Sequence, residues 1–213
     1  MKNILLILIY LGIIQHTMVY SQQIEKSDSI LFYNAVQAGI EKYLNKIPIG
    51  KEREFGFNTS DEFSEISLGE PLQNYNLRDY SFSDTSKTNL FKPIKTWSLP
   101  LIVNNKYRCL LDIIFTNNSY KAVGFGLPIL ASDIDDFENC KHMKNVKQKA
   151  LFIDYSLNVY CIVTNDANKN LEFWPFRSIN QCASDKLQNK DKYSSTEIVE
   201  ILKINNKKLK NEL

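Results

Sequence analysis

The stretch Trp97–Gly126, WSLPLIVNNKYRCLLDIIFTNNSYKAVGFG, constrains the fold more than any other part of the chain. Apolar residues recur at Trp97, Leu99, Leu101 and Val103, then at Tyr107, Cys109, Leu111, Ile113 and Phe115. Alternation with period two marks strands that turn one face to a core. Asn104-Asn105 separates the two runs, and Asn tolerates the positive φ of a tight hairpin turn. Thr116 to Ser119 then turns into a third strand, Tyr120 to Phe125, which completes an antiparallel meander. Even positions of the second strand mix Arg108 and Asp112 with Leu110 and Ile114, so it is expected to be central and covered on both faces. Pro100 has no amide donor, which predicts that the first strand lies at an edge or contains a bulge. Gly124-Phe125-Gly126 ends the meander at a close approach or sharp bend. It lacks dinucleotide-fingerprint spacing and precedes Leu-Pro, which argues against phosphate binding.

The N-terminus sets the expected location. Lys2, the apolar run Ile4–Ile14, and Val19-Tyr20-Ser21 before Gln22 read as a secretory signal peptide over residues 1–21. The run is too short for a stable bilayer span, which takes roughly 20 residues. The mature chain is expected to be periplasmic or extracellular and free of the membrane. Formal charge is +2, and losing Lys2 leaves +1, so no strong field argues for nucleic acid or anionic lipid. The rest divides at a basic linker, 141–149, into residues 22–140 around the meander and residues 141–213, both expected within one compact unit.

Other elements flank the meander. Phe32, Val36, Gly39, Ile40, Tyr43 and Leu44 share one stripe at helical spacing, predicting a core-packing helix over Ser27–Lys46 that Pro48 and Gly50 end. Ser60 before Asp61-Glu62 starts a short helix, and Leu72, Tyr75 and Leu77 suggest a strand. Polar residues from Arg78 to Lys95 predict an exposed loop. A short helix over Ile129–Glu138 carries Asp133, Asp135 and Asp136. Strands follow at Leu151–Tyr155, Leu157–Thr164 and Leu171–Phe176. Ser194 with Glu197 forms a capping-box pattern before a final lysine-rich helix.

Recognisable catalytic constellations are scarce. His142 is the single histidine after the signal segment, so multi-histidine zinc sites and serine triads lack parts, and neither G-x-S-x-G nor paired CxxC occurs. No catalytic residue, cofactor or metal ligand is assigned. Cys109, Cys140, Cys161 and Cys182 permit two disulfides in an exported protein, although Cys109 and Cys161 also fit buried free thiols. Asp166-x-Asn168-x-Asn170 begins like a calcium loop but has Leu171 where Gly is needed and Arg177 where an acid is needed. A plain polar hairpin loop fits better. The sequons at Asn58 and Asn117 are discounted against an Asn-rich background, as is the terminal Lys210-Asn211-Glu212-Leu213.

Glu54-Phe55-Gly56-Phe57, Leu68-Gly69-Glu70-Pro71, Trp97-Ser98-Leu99-Pro100 and Gly124-Phe125-Gly126 together resemble a group of uncharacterised secreted bacterial proteins, over roughly residues 30–135. That resemblance implies an extracytoplasmic bacterial protein and transfers no activity. The expected fold is α+β: an N-terminal helix packed on the antiparallel meander, then a second strand group and a C-terminal helix, nearest to cystatin-like or nuclear-transport-factor-like architectures. The expected function is non-enzymatic binding of an unknown protein or small ligand, with Trp174 and Phe176 as recognition aromatics beside Tyr75, Tyr80 and Phe82. Alternatives are a hydrolase with unlocated carboxylates and a protease-inhibitor or propeptide-like module.

Overall fold

The structure is a computed structural model that describes residues 28–77, 91–140, 146, 149–154, 159–166, 170–176 and 191–211. Residues 1–21, where a signal peptide is expected, most of the expected linker 141–149, Tyr80, Phe82, His142, Asn168 and Cys182 lie outside the described residues.

Helix α1 spans Ser29–Leu44, and single turns of 3-10 helix follow at Glu52–Phe55 and Ser60–Glu65. Strands β1 (Ser67–Leu68), β2 (Leu72–Leu77), β3 (Phe91–Val103), β4 (Lys106–Thr116) and β5 (Ser119–Gly126) lead to helix α2, Pro128–Asn139. Strands β6 (Ala150–Asp154), β7 (Val159–Asn165), β8 (Leu171–Pro175) and β9 (Tyr193–Ser194) precede helix α3, Ser195–Asn211. The fold class is α+β. The strands form one mostly antiparallel sheet in the order β5-β4-β3-β2-β6-β7-β8-β9, with β1 beside β2 on β3. Parallel pairing of β2 with β6 joins the two strand groups across the linker.

Local chemistry accounts for the turns. Asn104, Asn105, Asn117 and Asn118 all hold positive φ at the two hairpin tips. At α3, the Ser194 amide donates to Glu197 at 2.8 Å and the Glu197 amide to the Ser194 hydroxyl at 3.4 Å, closing the capping box.

Of two expectations about the meander, the one for Pro100 holds in its second form and the other needs correction. Strand β3 is interior, flanked by β4 and by β1 with β2, and it carries the expected irregularity as a register shift against β2 between Trp97 and Pro93. The chain avoids the penalty by splitting the neighbouring strand: β1 and β2 break at Gly69–Pro71, and the Gly69 amide donates to the Pro100 carbonyl at 2.8 Å. Residues 91–95, read from sequence as loop, belong to β3. Phe91, Lys92 and Pro93 pair with Leu77, Asn76 and Tyr75 beyond that register shift.

Three apolar clusters hold the layers. Phe32 and Val36 of α1 pack on Trp97, Leu99, Leu101, Val103, Cys109, Leu111 and Ile113. Leu130, Ala131 and Ile134 of α2 pack on Leu72, Leu110, Leu151 and Ile162, the opposite face. Ile198, Val199, Ile201 and Leu202 of α3 pack on Phe91, Phe152, Cys161, Val163 and Phe173. Strands β6 and β7 alternate between the last two clusters, so α1 and α3 share one face and α2 has the other. None of the described helices is long and apolar enough to cross a membrane.

Candidate functional site

The face under α2 changes character row by row along β3, β4 and β5. Register places Pro100, Leu110 and Gly126 side by side, then Ser98, Asp112 and Gly124, then Thr96, Ile114 and Lys121. The first row is buried, and Leu110 packs with α2. In the third row Lys121 is exposed and Thr96 and Ile114 are partly so, with Ile94 of β3 exposed beyond them. Asp112 therefore stands at the margin where helix cover ends.

Its surroundings are specific. The fully buried Ser98 hydroxyl donates to Asp112 Oδ1 at 2.6 Å, and Asn74 Nδ2 donates to the same hydroxyl oxygen at 3.2 Å. A donor chain thus runs from Asn74 through Ser98 to the carboxylate. On the far side, a Cβ at Gly124 would lie 2.7 Å from Asp112 Oδ2, so the missing side chain leaves room for the carboxylate. Among the described residues no cation touches Asp112; its partner is a neutral hydroxyl. Burial pushes the Asp112 carboxyl above its usual range, and the Ser98 bond only partly offsets this.

That shift has a testable sign. A folded pKa above the unfolded one means the ionised form is disfavoured in the fold. The associated stability is present below the unfolded pKa and lost as pH rises through the folded one. Asp112→Asn keeps an acceptor for Ser98 and removes the charge. Denaturant melts should place it within about 1 kcal/mol of the parent at neutral pH, or above it, with a flatter response to acidification. A loss of several kcal/mol would contradict this account.

A second polar group sits where α2 ends. Tyr107 Oη donates to Glu138 Oε2 at 2.5 Å, and Lys149 Nζ meets Glu138 Oε1 at 2.7 Å. Burial raises the Glu70 carboxyl, with Lys149 opposing and Glu138 reinforcing the shift. Burial, then the Glu138 bond, also raises the Tyr107 hydroxyl. The Lys149–Glu138 contact ties the end of α2 to the start of β6, and it reads as a structural clasp. The alternation put Tyr107 with Cys109 and Leu111, but a bulge at Arg108 turns it to the α2 side, opposite Ile102.

Phe176 is 4 % exposed in the cluster under α2. Trp174 is half-buried, donates through Nε1 to Thr164 Oγ1 at 3.0 Å and meets the Phe137 ring edge-on at 5.9 Å. Both rings take part in packing, and Phe176 leaves almost no surface for recognition; Tyr75 likewise packs against the α3 cluster. Cys109, Cys140 and Cys161 are free thiols, and Cys109 and Cys161 are buried in separate clusters. Any two-bridge pairing of four cysteines must join two of these three, and none are joined. Burial raises the Cys109 and Cys161 thiols, which suppresses the reactive thiolate. Asp166 accepts from the Asn170 amide at 2.7 Å and from its side chain at 3.1 Å, closing a hairpin mouth. Among the described residues no three His, Cys, Asp or Glu side chains converge for a metal.

Sequence reasoning passed over Asp112 as one polar residue in a mixed strand face. A usable signal was there: an acid enclosed by Leu110, Leu111, Ile113 and Ile114, in a strand followed by a glycine-containing one. Comparison with known proteins finds no family model, no curated protein and no solved structure that matches this chain.

Proposed function

We propose that this chain is an exported, non-enzymatic binding protein whose contact surface is the open part of the sheet face beyond α2. One observation carries the reading: helix cover stops at the Leu110 row, leaving Ile94, Thr96, Ile114 and Lys121 accessible beside a partly buried carboxylate. A mainly apolar surface with a few placed polar groups is the usual composition of a ligand-contacting patch. The signal-like N-terminus supports export.

A photo-crosslinking residue at Lys121, against one at the exposed Ser64 on the 3-10 turn, tests this in the producing cell. An adduct of reproducible mass at 121 and none at 64 is the expected result. Equal labelling, or none, overturns the contact surface. The hydrolase reading draws its support from the raised Asp112 carboxyl, a property shared with general acids. Turnover of a glycan, peptide or ester, lost in Asp112→Asn, would replace binding by catalysis.

A further inference from the structure

We propose that Asp112 anchors a small organic monocation, an alkylammonium whose N–H donors meet the carboxylate and whose short apolar tail lies over Ile114. This rests on the contact surface just described and names the chemistry it takes.

Three observations point to that class. Among the described residues the partly buried Asp112 carboxylate has one neutral donor and no cation, and a charge taken out of water is stabilised by a partner of opposite sign. Ser98 and the Asn74 donor chain fix Oδ1, while Oδ2 lies over Gly124, which has no side chain of its own. The acceptor is therefore held in place before any ligand arrives, which lowers the ordering cost of binding. Size and charge follow from the next row. Ile114 and the exposed Ile94 offer aliphatic surface, so a short alkyl tail is favoured over a polar one. Lys121, opposite Ile114, is a cation, so a second positive charge on the ligand would be repelled. Glu138 is engaged at the α2 terminus with Lys149 and Tyr107, and Asp112 is the acid of these three rows.

The test is an amide-resolved NMR titration of the full mature chain with n-butylammonium chloride at constant ionic strength. Tetramethylammonium, which has charge but no N–H donor, serves as control. Saturable shifts confined to 96–98, 112–114 and 121–124 are expected for butylammonium alone. Asp112→Asn should weaken the response roughly tenfold or more, the scale of one hydrogen bond to a charged group. If that variant fails to fold, Ile114→Lys, which tethers a competing ammonium beside the carboxylate, should abolish it. Linear shifts, an unchanged response in either folded variant, or equal shifts with tetramethylammonium would overturn the proposal. Crosslinking at 121 that persists after such a result would leave the contact surface standing with a different ligand chemistry.

Discussion

Gly56→Ala is expected to cost roughly 4 kcal/mol: about 1 from backbone strain and about 3 from overpacking. Gly56 closes the first 3-10 turn at φ +90°, in the left-handed region that a Cβ disfavours. Strain alone would be moderate. The larger effect is that a Cβ there would stand 1.9 Å from the Arg108 carbonyl oxygen and 2.8 Å from its carbon. Backbone cannot yield as a side chain does, and this carbonyl belongs to the β4 bulge. Gly50→Ala is the matched control, with φ +83° and nothing within 4 Å of the added atom. It should lose only the strain, about 1 kcal/mol. Urea unfolding of both variants separates the two effects. Equal losses would mean that the bulge moves freely and that the turn does not pin it.

That contact explains part of what the sequence reveals and conceals. Alternation identified Leu99, Leu101, Cys109, Leu111 and Ile113 as one face, because burial on that face leaves a direct two-residue imprint. It misplaced Tyr107 because a bulge shifts the phase by one residue without changing composition. A strand interior does not accommodate the donor missing at Pro100 unless the neighbouring strand yields. The solution, a break in the adjacent strand at Gly69–Pro71, depends on a segment thirty residues upstream. Gly69 meets Pro100 and Gly56 meets Arg108, each a close approach between distant segments, while Gly124 leaves room for the Asp112 side chain on the adjacent strand. Parallel pairing of β2 with β6 left no mark, because both strands carry the same apolar pattern whether they are joined or apart. Asp112 was hidden for a related reason. Only cross-strand register sets it beside Ser98 and Gly124 at the end of helix cover.

Removing the Glu62 carboxylate is expected to cost about 3 kcal/mol, the scale of leaving one member of a buried ion pair uncompensated. Glu62 Oε1 accepts from Arg108 Nη2 at 2.8 Å and from Asn58 Nδ2 at 2.7 Å, while Oε2 accepts the Asn58 amide at 2.7 Å. Side-chain exposure is 15 % for Arg108 and 11 % for Glu62, so solvent does little to replace a lost partner. Glu62→Ala strands the guanidinium, whose Nε has no hydrogen-bond partner among the described residues. A double change, Glu62→Leu with Arg108→Met, should cost less than the sum of the singles, because it removes both charges together. Acid titration offers an independent check. Burial by itself would raise the Glu62 carboxyl, but the Asn58 bonds and Arg108 outweigh it and hold it below its usual range. Its stabilisation is present above the unfolded pKa and is lost as pH falls through the folded one. Asp112 and Glu70 act with the opposite sign, since burial raises both. Mild acidification should therefore maintain or increase stability before the Glu62 contribution collapses at lower pH. In Glu62→Gln that lower limb should flatten while the Asp112 limb persists. An unchanged acid limb in the variant would show that the Glu62–Arg108 pair does not hold the 3-10 turn to the β4 bulge.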